Sequence, residues 1–436
     1  MSDFSSSSTL PEHGRSSDPT AAQLAFSCRL PLLVMFISAA VWLIIASAFG
    51  LLSSLTFHAP GLLADHSWLT YGRLRPAYEN ALLYGFCLQA GLGVALWLFV
   101  RLGRTLLAQR LMVTLGAAFW NFGVTVGIAA ILGGYSTGFE NLEMPGHASV
   151  IVFGGYVLLG LWGVITFHRR RVHALFPSQW FLFAALFWFP WIYSTANLLL
   201  LTFPARGVAQ SVIAWWYSEN LVVVWLGLVG LGSIFYFVPK LSGRDLHSHY
   251  LALFTFWTLI LFASWGGIPS AAPVPAWMPT VSTIASVFMI LPLLAVGMNV
   301  YRTLGRVSFL SRQNLPLSFE LVGVAAFLIA GVMKISLAGL DTDQMLQFTW
   351  FASARKLLHV YGFFVMAMFG AIYYILPRLT DADFPSPGLV RAHFWLSLAG
   401  LLFIVAPWAI GGVVQAAQLG DPHVAFISIV KSQLRS

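Results

Sequence analysis

The chain predicts an all-α membrane protein, a polytopic bundle of about eleven transmembrane helices. Of its 436 residues, 58% are hydrophobic and only 9% are charged, and the mean hydropathy is +0.81. A soluble domain carries roughly 25% charged residues, so this composition indicates burial in lipid. Long apolar runs also repeat along the chain, and a helical span needs roughly 20 apolar residues. Because these runs are continuously apolar and do not alternate with polar residues, helices are favoured over a barrel.

Eleven stretches have the length and apolar character of a membrane span. They cover residues 30–56, 80–100, 111–132, 149–167, 178–202, 213–238, 250–266, 277–300, 319–337, 357–376 and 392–413. The chain is therefore divided into a single transmembrane domain, 30–436, and a polar N-terminal arm, 1–29. The arm is Ser-rich and is predicted to be disordered. It is too polar and too long for a cleaved secretory signal, so the first span is interpreted as a signal-anchor.

The basic residues predict how the bundle is oriented in the membrane. With the N-terminus placed in the cytoplasm, 15 of the 23 Lys and Arg residues fall in cytoplasmic segments. The opposite loops 133–148 and 267–276 contain none. This bias favours a cytoplasmic N-terminus. It also accounts for the net charge of +8, so no nucleic-acid partner is predicted.

Four segments carry a resemblance to a known family. They are Thr70–Phe86 (TYGRLRPAYENALLYGF), Trp215–Gly243 (WWYSENLVVVWLGLVGLGSIFYFVPKLSG), Phe256–Gly267 (FWTLILFASWGG) and Gly370–Leu379 (GAIYYILPRL). Their order and spacing resemble the catalytic subunit of C-type (cbb-type) haem–copper oxidases, the cytochrome c oxidase subunit I family. That family has twelve spans, reduces oxygen with electrons from cytochrome c, and resides in the bacterial inner membrane. The resemblance implies other oxidase subunits as partners, such as a membrane-anchored cytochrome c, besides the lipid bilayer.

The family uses six histidines to hold haem b and copper, and the resemblance places other residues at these positions. The haem-ligand positions fall on Tyr78, Arg355 and Leu357, and the copper positions fall on Glu219 and near Pro269 and Ser270. The cross-linking tyrosine of the family falls on Ala263. The chain lacks histidine between His66 and His147, between His173 and His247, and between His249 and His359. No haem, copper or other cofactor is therefore predicted, and the chain is interpreted as a divergent member with a degenerate metal site.

Several of these positions allow two interpretations. His359 is either a shifted haem ligand or a hydrogen-bonded interior histidine. Tyr78 is either a phenolate ligand or a hydrogen-bonded side chain that fills the vacated cavity. Cys28 and Cys87 have no CxxC partner and are interpreted as small hydrophobic residues.

Charged residues near the predicted metal positions form a second group of candidates. A carboxylate within an apolar span is costly unless it is paired or hydrated, so Glu219 is a functional candidate. One hypothesis pairs Glu219 with Arg355, beside Lys356, in the former metal cavity. The alternative places Arg355 and Lys356 at the membrane interface and Glu219 against a water pocket. Arg73 and Arg75 would hold haem propionates in the family; here they either bind a loop, a lipid phosphate or a partner carboxylate, or form a solvated pair.

Two functions from different classes follow. The first is a non-catalytic or accessory subunit of a respiratory complex, because oxygen reduction needs haem iron and copper. The second is a transporter of protons or a small ligand on the same bundle, with Glu219, Arg355 and Lys356 in its interior. Soluble-type catalytic motifs such as HExxH, CxxCH and GxxxxGK are absent from the sequence.

Overall fold

A computed structural model describes residues 19–305, 314–339 and 345–429. Within these residues the chain is helical and contains no strand, which confirms the predicted fold class. Eleven apolar helices match the eleven predicted spans: α1 Ala21–His58, α2 Tyr71–Gly103, α3 Arg110–Gly133, α4 Gly146–His168, α5 Pro177–Thr202, α6 Val208–Ser242, α7 His249–Ala263, α8 Trp277–Leu304, α9 Leu315–Ser336, α10 Trp350–Thr380 and α11 Pro387–Leu419. Ten of them are long enough to cross a bilayer, and α7 is shorter.

The first helix begins earlier than predicted. Thr20 caps it: its hydroxyl accepts a hydrogen bond from the Gln23 backbone N–H, and the Gln23 side chain accepts one from the Thr20 N–H. This capping box starts the helix at Ala21. Cys28 lies on the inner face and is fully buried. Assigning 21–29 to a disordered arm was therefore wrong, and residues 1–18 lie outside the described residues.

Helices α2 and α6 form the centre of the bundle. The most apolar 18-residue window of α2 is 100% buried and that of α6 is 94% buried, whereas the corresponding window of α11 is 6% buried. Around this centre α1 packs on α2, α5 on α6, α9 on α10, and α10 on α11, while α3 packs on α4. Both cysteines, Cys28 and Cys87, are buried and unpaired, as expected for small hydrophobic residues.

Four π-helical segments interrupt the α-helices. They cover Ala81–Leu88 in α2, Leu198–Thr202 in α5, Asn220–Trp225 in α6 and Leu358–Val365 in α10. Segments of this kind are rare and are frequent at functional sites. Three of them lie in α2, α6 and α10, immediately after Asn80, Glu219 and Leu357. The candidate residues Glu219 and Leu357 are therefore placed at the point where regular α-helix ends.

Candidate functional site

Glu219 and Lys334 form a buried ion pair between α6 and α9. The carboxylate of Glu219 contacts Nζ of Lys334, and their side chains are only 9% and 11% exposed. The loop after α7 closes over this pair. A Cβ added at Gly267 would lie 2.6 Å from the Cβ of Glu219, and Gly267 has φ +99°. Glycine is required there, because a side chain would be strained and would collide with Glu219.

The structure corrects the predicted partner of Glu219. Glu219 pairs with Lys334 and not with Arg355, so the predicted Glu219–Arg355 pairing was wrong. Within the described residues Arg355 makes no ion pair, and its Nε is buried without a hydrogen-bond partner. The negative charge of Glu140 acts on its guanidinium. Arg355 therefore brings to the site a positive charge that is in no ion pair within the described residues.

Lys356 belongs to a second charged group at the same end of the bundle. Its Nζ lies 2.5 Å from Oε1 of Glu140, 3.4 Å from Oε2 of Glu79 and 3.2 Å from Oδ1 of Asn141. Nε of Arg75 donates to the other oxygen of Glu79 at 2.6 Å. Lys356 is thus fully engaged, and the interpretation of Arg75 as bound to a carboxylate holds within this chain.

Glu143 lies behind Lys356 in the loop between α3 and α4. Its carboxylate accepts hydrogen bonds from Nδ2 of Asn80 at 2.7 Å and from the Asn141 backbone N–H at 3.1 Å. Burial, and secondarily the negative charge of Glu79, raise the pKa of Glu143 to about 7. The loop at this end therefore contains a carboxyl that titrates near neutral pH.

A cavity of about 310 Å³ connects the two charged groups. Its charged lining residues are Glu140, Glu219, Lys334, Arg355 and Lys356, and its hydroxyl-bearing ones are Ser218, Ser282, Thr283, Ser286 and Ser353. Glu219, Arg355 and Lys356, which the sequence singled out together, do line one cavity, although Glu219 pairs with neither of the other two. Charged and hydroxyl-bearing side chains therefore make up half of the residues that line this cavity.

Tyr78 fills space between helices. Its ring packs on Gly50 of α1, where an added Cβ would lie 3.1 Å from the ring. The Arg75 guanidinium lies 5.6 Å from the ring centroid, and the Tyr361 hydroxyl of α10 is its neighbour. This arrangement is the one expected of a hydrogen-bonded, space-filling tyrosine.

Arg73 holds the end of α3. Its Nη1 donates to the carbonyl of Leu132 at 3.0 Å. An added Cβ at Gly134, which has φ +94°, would lie 2.8 Å from Nη2 of Arg73. A cation beside the last carbonyls of a helix is favourable. A neighbouring loop was among the predicted alternatives for Arg73; the structure places its acceptor in the last turn of helix α3.

His359 lies on the π segment of α10 among aromatic rings. It is 5% exposed, and its ring centroid lies 6.1 Å from that of Phe327 and 5.1 Å from that of Phe363. Its Nε2 has no hydrogen-bond partner among the described residues. The positive charges of Arg355 and Lys334 act on the same ring. A metal cation at Nε2 would be repelled by both.

Helices α2 and α10 contact each other at the level of the family's haem-ligand positions: Nζ of Lys356 lies 3.4 Å from Oε2 of Glu79, and the side chains of Tyr78 and Tyr361 are hydrogen-bonded. Further along the two helices, the rings of Phe86 and Phe369 lie 5.7 Å apart, and those of Trp97 and Tyr374 lie 5.8 Å apart. Leu357, at one of the family's haem-ligand positions, is a half-buried apolar side chain with no donor atom. The residues present therefore do not fit a porphyrin between these helices.

The copper positions do not fit a metal ion either. Glu219 is engaged by Lys334, Pro269 has no side-chain donor, and Ala263 is a buried apolar residue at the end of α7. Ser270 lies in the loop beside Pro269. Among the described residues, no group of three or more His, Cys, Asp or Glu side chains could hold a metal ion. The donor set is one carboxylate, already paired with a cation.

Sequence reasoning missed two buried charged residues on α9. Lys334 and Glu320 were included in an apolar span, 319–337, without comment. Glu320 is fully buried, and neither of its carboxyl oxygens has a hydrogen-bond partner among the described residues. The signal was available, because an ionisable residue inside a span is a functional candidate by default. Which helix faces Glu219 could not be read from one sequence.

Comparisons with known proteins agree with this architecture. The chain is 24% identical over 428 residues to the cbb3-type cytochrome c oxidase subunit CcoN1 of Stutzerimonas stutzeri, covering 95% of this chain and 90% of the relative. It is 24% identical over 423 residues to a cytochrome c oxidase subunit 1 homolog of Azorhizobium caulinodans, covering 92% and 76% of the two chains. It is 27% identical over 377 residues to cytochrome c oxidase subunit 1 of Rhodobacter capsulatus, covering 82% and 70%.

A solved structure shows the same fold. A chain from a structure described as a heme-copper terminal oxidase dimer superposes with a TM-score of 0.70 at 15% sequence identity. The match covers 89% of this chain and 75% of the other. The profile of the family described as "Cytochrome C and Quinol oxidase polypeptide I" matches residues 31–430. The chain therefore belongs to the cytochrome c and quinol oxidase polypeptide I family, as a multi-span membrane protein.

Proposed function

We propose that this chain is a non-catalytic, accessory subunit of a respiratory membrane complex, without haem or copper. One observation carries the proposal: Lys334 engages Glu219, at a family copper position, in an ion pair. A buried carboxylate that already pairs with a cation is not free to bind a metal ion. A metal ion would displace the lysine, and the ammonium group of the lysine would then stay buried without a compensating charge. The contacts between α2 and α10 at the family's haem-ligand positions, Lys356 with Glu79 and Tyr78 with Tyr361, support the same conclusion for haem.

The long apolar surface of α11 suits assembly with another membrane subunit. Its most apolar window is only 6% buried, with large side chains such as Leu396 and Phe403 exposed by 73% and 80%. Lipid can also cover such a surface. The relatives named as cytochrome c oxidase subunits suggest an oxidase subunit, such as a membrane-anchored cytochrome c, as the neighbour. The proposed location is the bacterial inner membrane with the N-terminus in the cytoplasm, as the Lys and Arg distribution favours.

Spectroscopy of the purified protein tests the cofactor part of this proposal. The full chain is expressed beside a catalytic relative that incorporates haem in the same cells, and both are purified in the same detergent. A reduced-minus-oxidised spectrum and elemental analysis are then recorded. We expect haem and copper in the relative and neither in this chain. Stoichiometric haem in this chain would overturn the proposal.

Affinity purification from membranes tests the assembly part. We expect the tagged chain to retain cytochrome c subunits, and a variant with Leu396 and Phe403 replaced by Ala to lose them. Retention of no respiratory subunit would contradict an accessory role. An N-terminal reporter that is active only outside the cytoplasm should stay inactive, and activity would contradict the proposed orientation.

A transporter of protons or a small ligand is the second candidate, favoured by the charged cavity of about 310 Å³. Proton flux in liposomes that Glu219→Gln abolishes would support this candidate over the accessory role. Proton flux equal to that of empty liposomes would count against it.

A further inference from the structure

The charges that line the cavity do not cancel one another. Lys334 is compensated by Glu219, and Lys356 by Glu140. Glu79, which also contacts Lys356, is compensated by Arg75. Of the five charged side chains that line the cavity, only the guanidinium of Arg355 makes no ion pair within the described residues. The lining side chains comprise three cations and two carboxylates, so among them there is one positive charge in excess.

The wall of the cavity also offers free hydrogen-bond donors. Nε of Arg355 is buried and has no partner among the described residues. The Ser218 hydroxyl oxygen accepts from Nδ2 of Asn141 at 2.6 Å, and the Ser282 hydroxyl oxygen accepts from the Ile268 backbone N–H at 3.1 Å. Because both oxygens act as acceptors, their own protons remain available to donate. The lining thus combines unused donors with one excess positive charge.

We propose that this cavity binds a small monovalent anion, a carboxylate or another planar oxyanion, with Arg355 as its anchor. A guanidinium presents parallel N–H donors that match the two oxygens of a carboxylate. The Ser218 and Ser282 hydroxyls complete the donor set. A bound monoanion would balance the one positive charge in excess among the lining side chains, and a dianion would leave a net negative charge in a largely buried site.

The size of the cavity agrees with this class of ligand. A volume of about 310 Å³ is far above the ~15 Å³ that one water molecule requires, and it admits an anion of several heavy atoms. Glu140 lines the cavity, and its side chain is 59% exposed. The cavity is therefore open to solvent at this end of the bundle. An anion could therefore enter from the aqueous phase without crossing the packed centre of the bundle.

Isothermal titration of the full chain in lipid nanodiscs tests the proposal, with sodium formate and sodium acetate as monoanions and sodium sulfate as the dianion. We expect saturable binding of one formate or acetate per chain and weaker binding of sulfate. Arg355→Gln should weaken formate binding at least tenfold. The matched control Arg302→Gln removes an exposed arginine of α8 that does not line the cavity and should leave binding unchanged.

Three results would overturn the proposal: no saturable binding by the unaltered chain, equal affinity in Arg355→Gln, or equal loss in Arg302→Gln. If Arg355→Gln does not yield a monodisperse protein, the double variant of Ser218→Ala and Ser282→Ala replaces it, because it removes two donors and no charge. Unchanged formate affinity in that variant would equally overturn the proposal. Binding is measured without any spectrum of a cofactor, so this test is independent of the proposed accessory role.

Discussion

Removing the carboxylate of Glu219 should destabilise the protein strongly, because it leaves Lys334 buried without its partner. Both side chains are about nine-tenths buried, so solvent screens little of their interaction. Breaking such a pair from one side costs about 3–5 kcal/mol, whereas replacing both members by apolar residues is often neutral. We therefore expect Glu219→Leu alone to lower the free energy of unfolding by about 3–5 kcal/mol, and Glu219→Leu with Lys334→Met to restore most of it.

The chain provides a matched control in the pair formed by Arg75 and Glu79. These residues lie four positions apart on one helix, and their side chains are 35% and 16% exposed. A partly solvated pair of this kind contributes about 0–1 kcal/mol. Arg75→Gln should therefore lower stability far less than Glu219→Leu does.

Urea or SDS unfolding in mixed micelles, followed by intrinsic tryptophan fluorescence, measures all five proteins: the unaltered chain, the two single variants at Glu219 and Lys334, their double variant and the Arg75 control. The unaltered chain, the two single variants at Glu219 and Lys334 and their double variant form a double-mutant cycle, which isolates the coupling energy between the two residues. A coupling energy below about 1 kcal/mol, no larger than the effect of the control, would refute the inference that Lys334 holds Glu219.

Three further predictions concern residues around the same helices. Gly267→Ala should destabilise the protein by more than the ~1–2 kcal/mol that a left-handed backbone conformation alone costs, because the added Cβ would also lie 2.6 Å from the Cβ of Glu219. Thermal unfolding measures the loss of stability, and an unchanged unfolding midpoint would contradict the close approach. The pKa of Glu143 in the folded protein, about 7, lies above its usual value of 4.5, so the folded state holds a proton that the unfolded state releases. The free energy of unfolding should therefore fall by roughly 2–4 kcal/mol as pH rises from about 4.5 to about 7. Glu143→Gln should flatten this pH dependence, and an equal dependence of stability on pH in both proteins would argue against the shifted pKa. Glu320→Leu should stabilise the protein by about 1–3 kcal/mol because it removes a buried carboxyl without partners among the described residues, and a lower unfolding midpoint would show that this carboxyl has a role in the folded protein.

The architecture was predictable from sequence to a large extent, because lipid imposes a simple length rule on apolar helices. All eleven predicted spans are helices. The errors lie where local chemistry overrides hydropathy. Thr20 and Gln23 extend α1 by a capping box, and α7 ends at Ala263, three residues before the predicted end of the seventh span and ahead of Gly266 and Gly267.

The sequence predicted which residues belong to the candidate site but not how they pair. Glu219, Arg355 and Lys356 were identified because charged residues are rare in or beside spans, and all three line one cavity. Their pairing was not predictable. It depends on which faces of α6, α9 and α10 meet, and a single sequence contains no information on the contacts between helices. Lys334 was therefore missed as the partner of Glu219.

The π segments have a consequence for any comparison of sequences in this family. A π-bulge is one residue of excess in an α-helix, and each residue of an α-helix turns the chain by about 100°. Because the bulge accommodates this extra residue locally, deleting a single residue within Leu358–Val365 would restore regular α-helix while the following half of α10 keeps its buried face, whereas the same deletion in a regular part of α10 would rotate that half by about a quarter of a circle. Single-residue deletions should therefore be tolerated better within these segments than elsewhere in the same helices, and helical-wheel projections drawn through them would assign the second half of each helix to the wrong face.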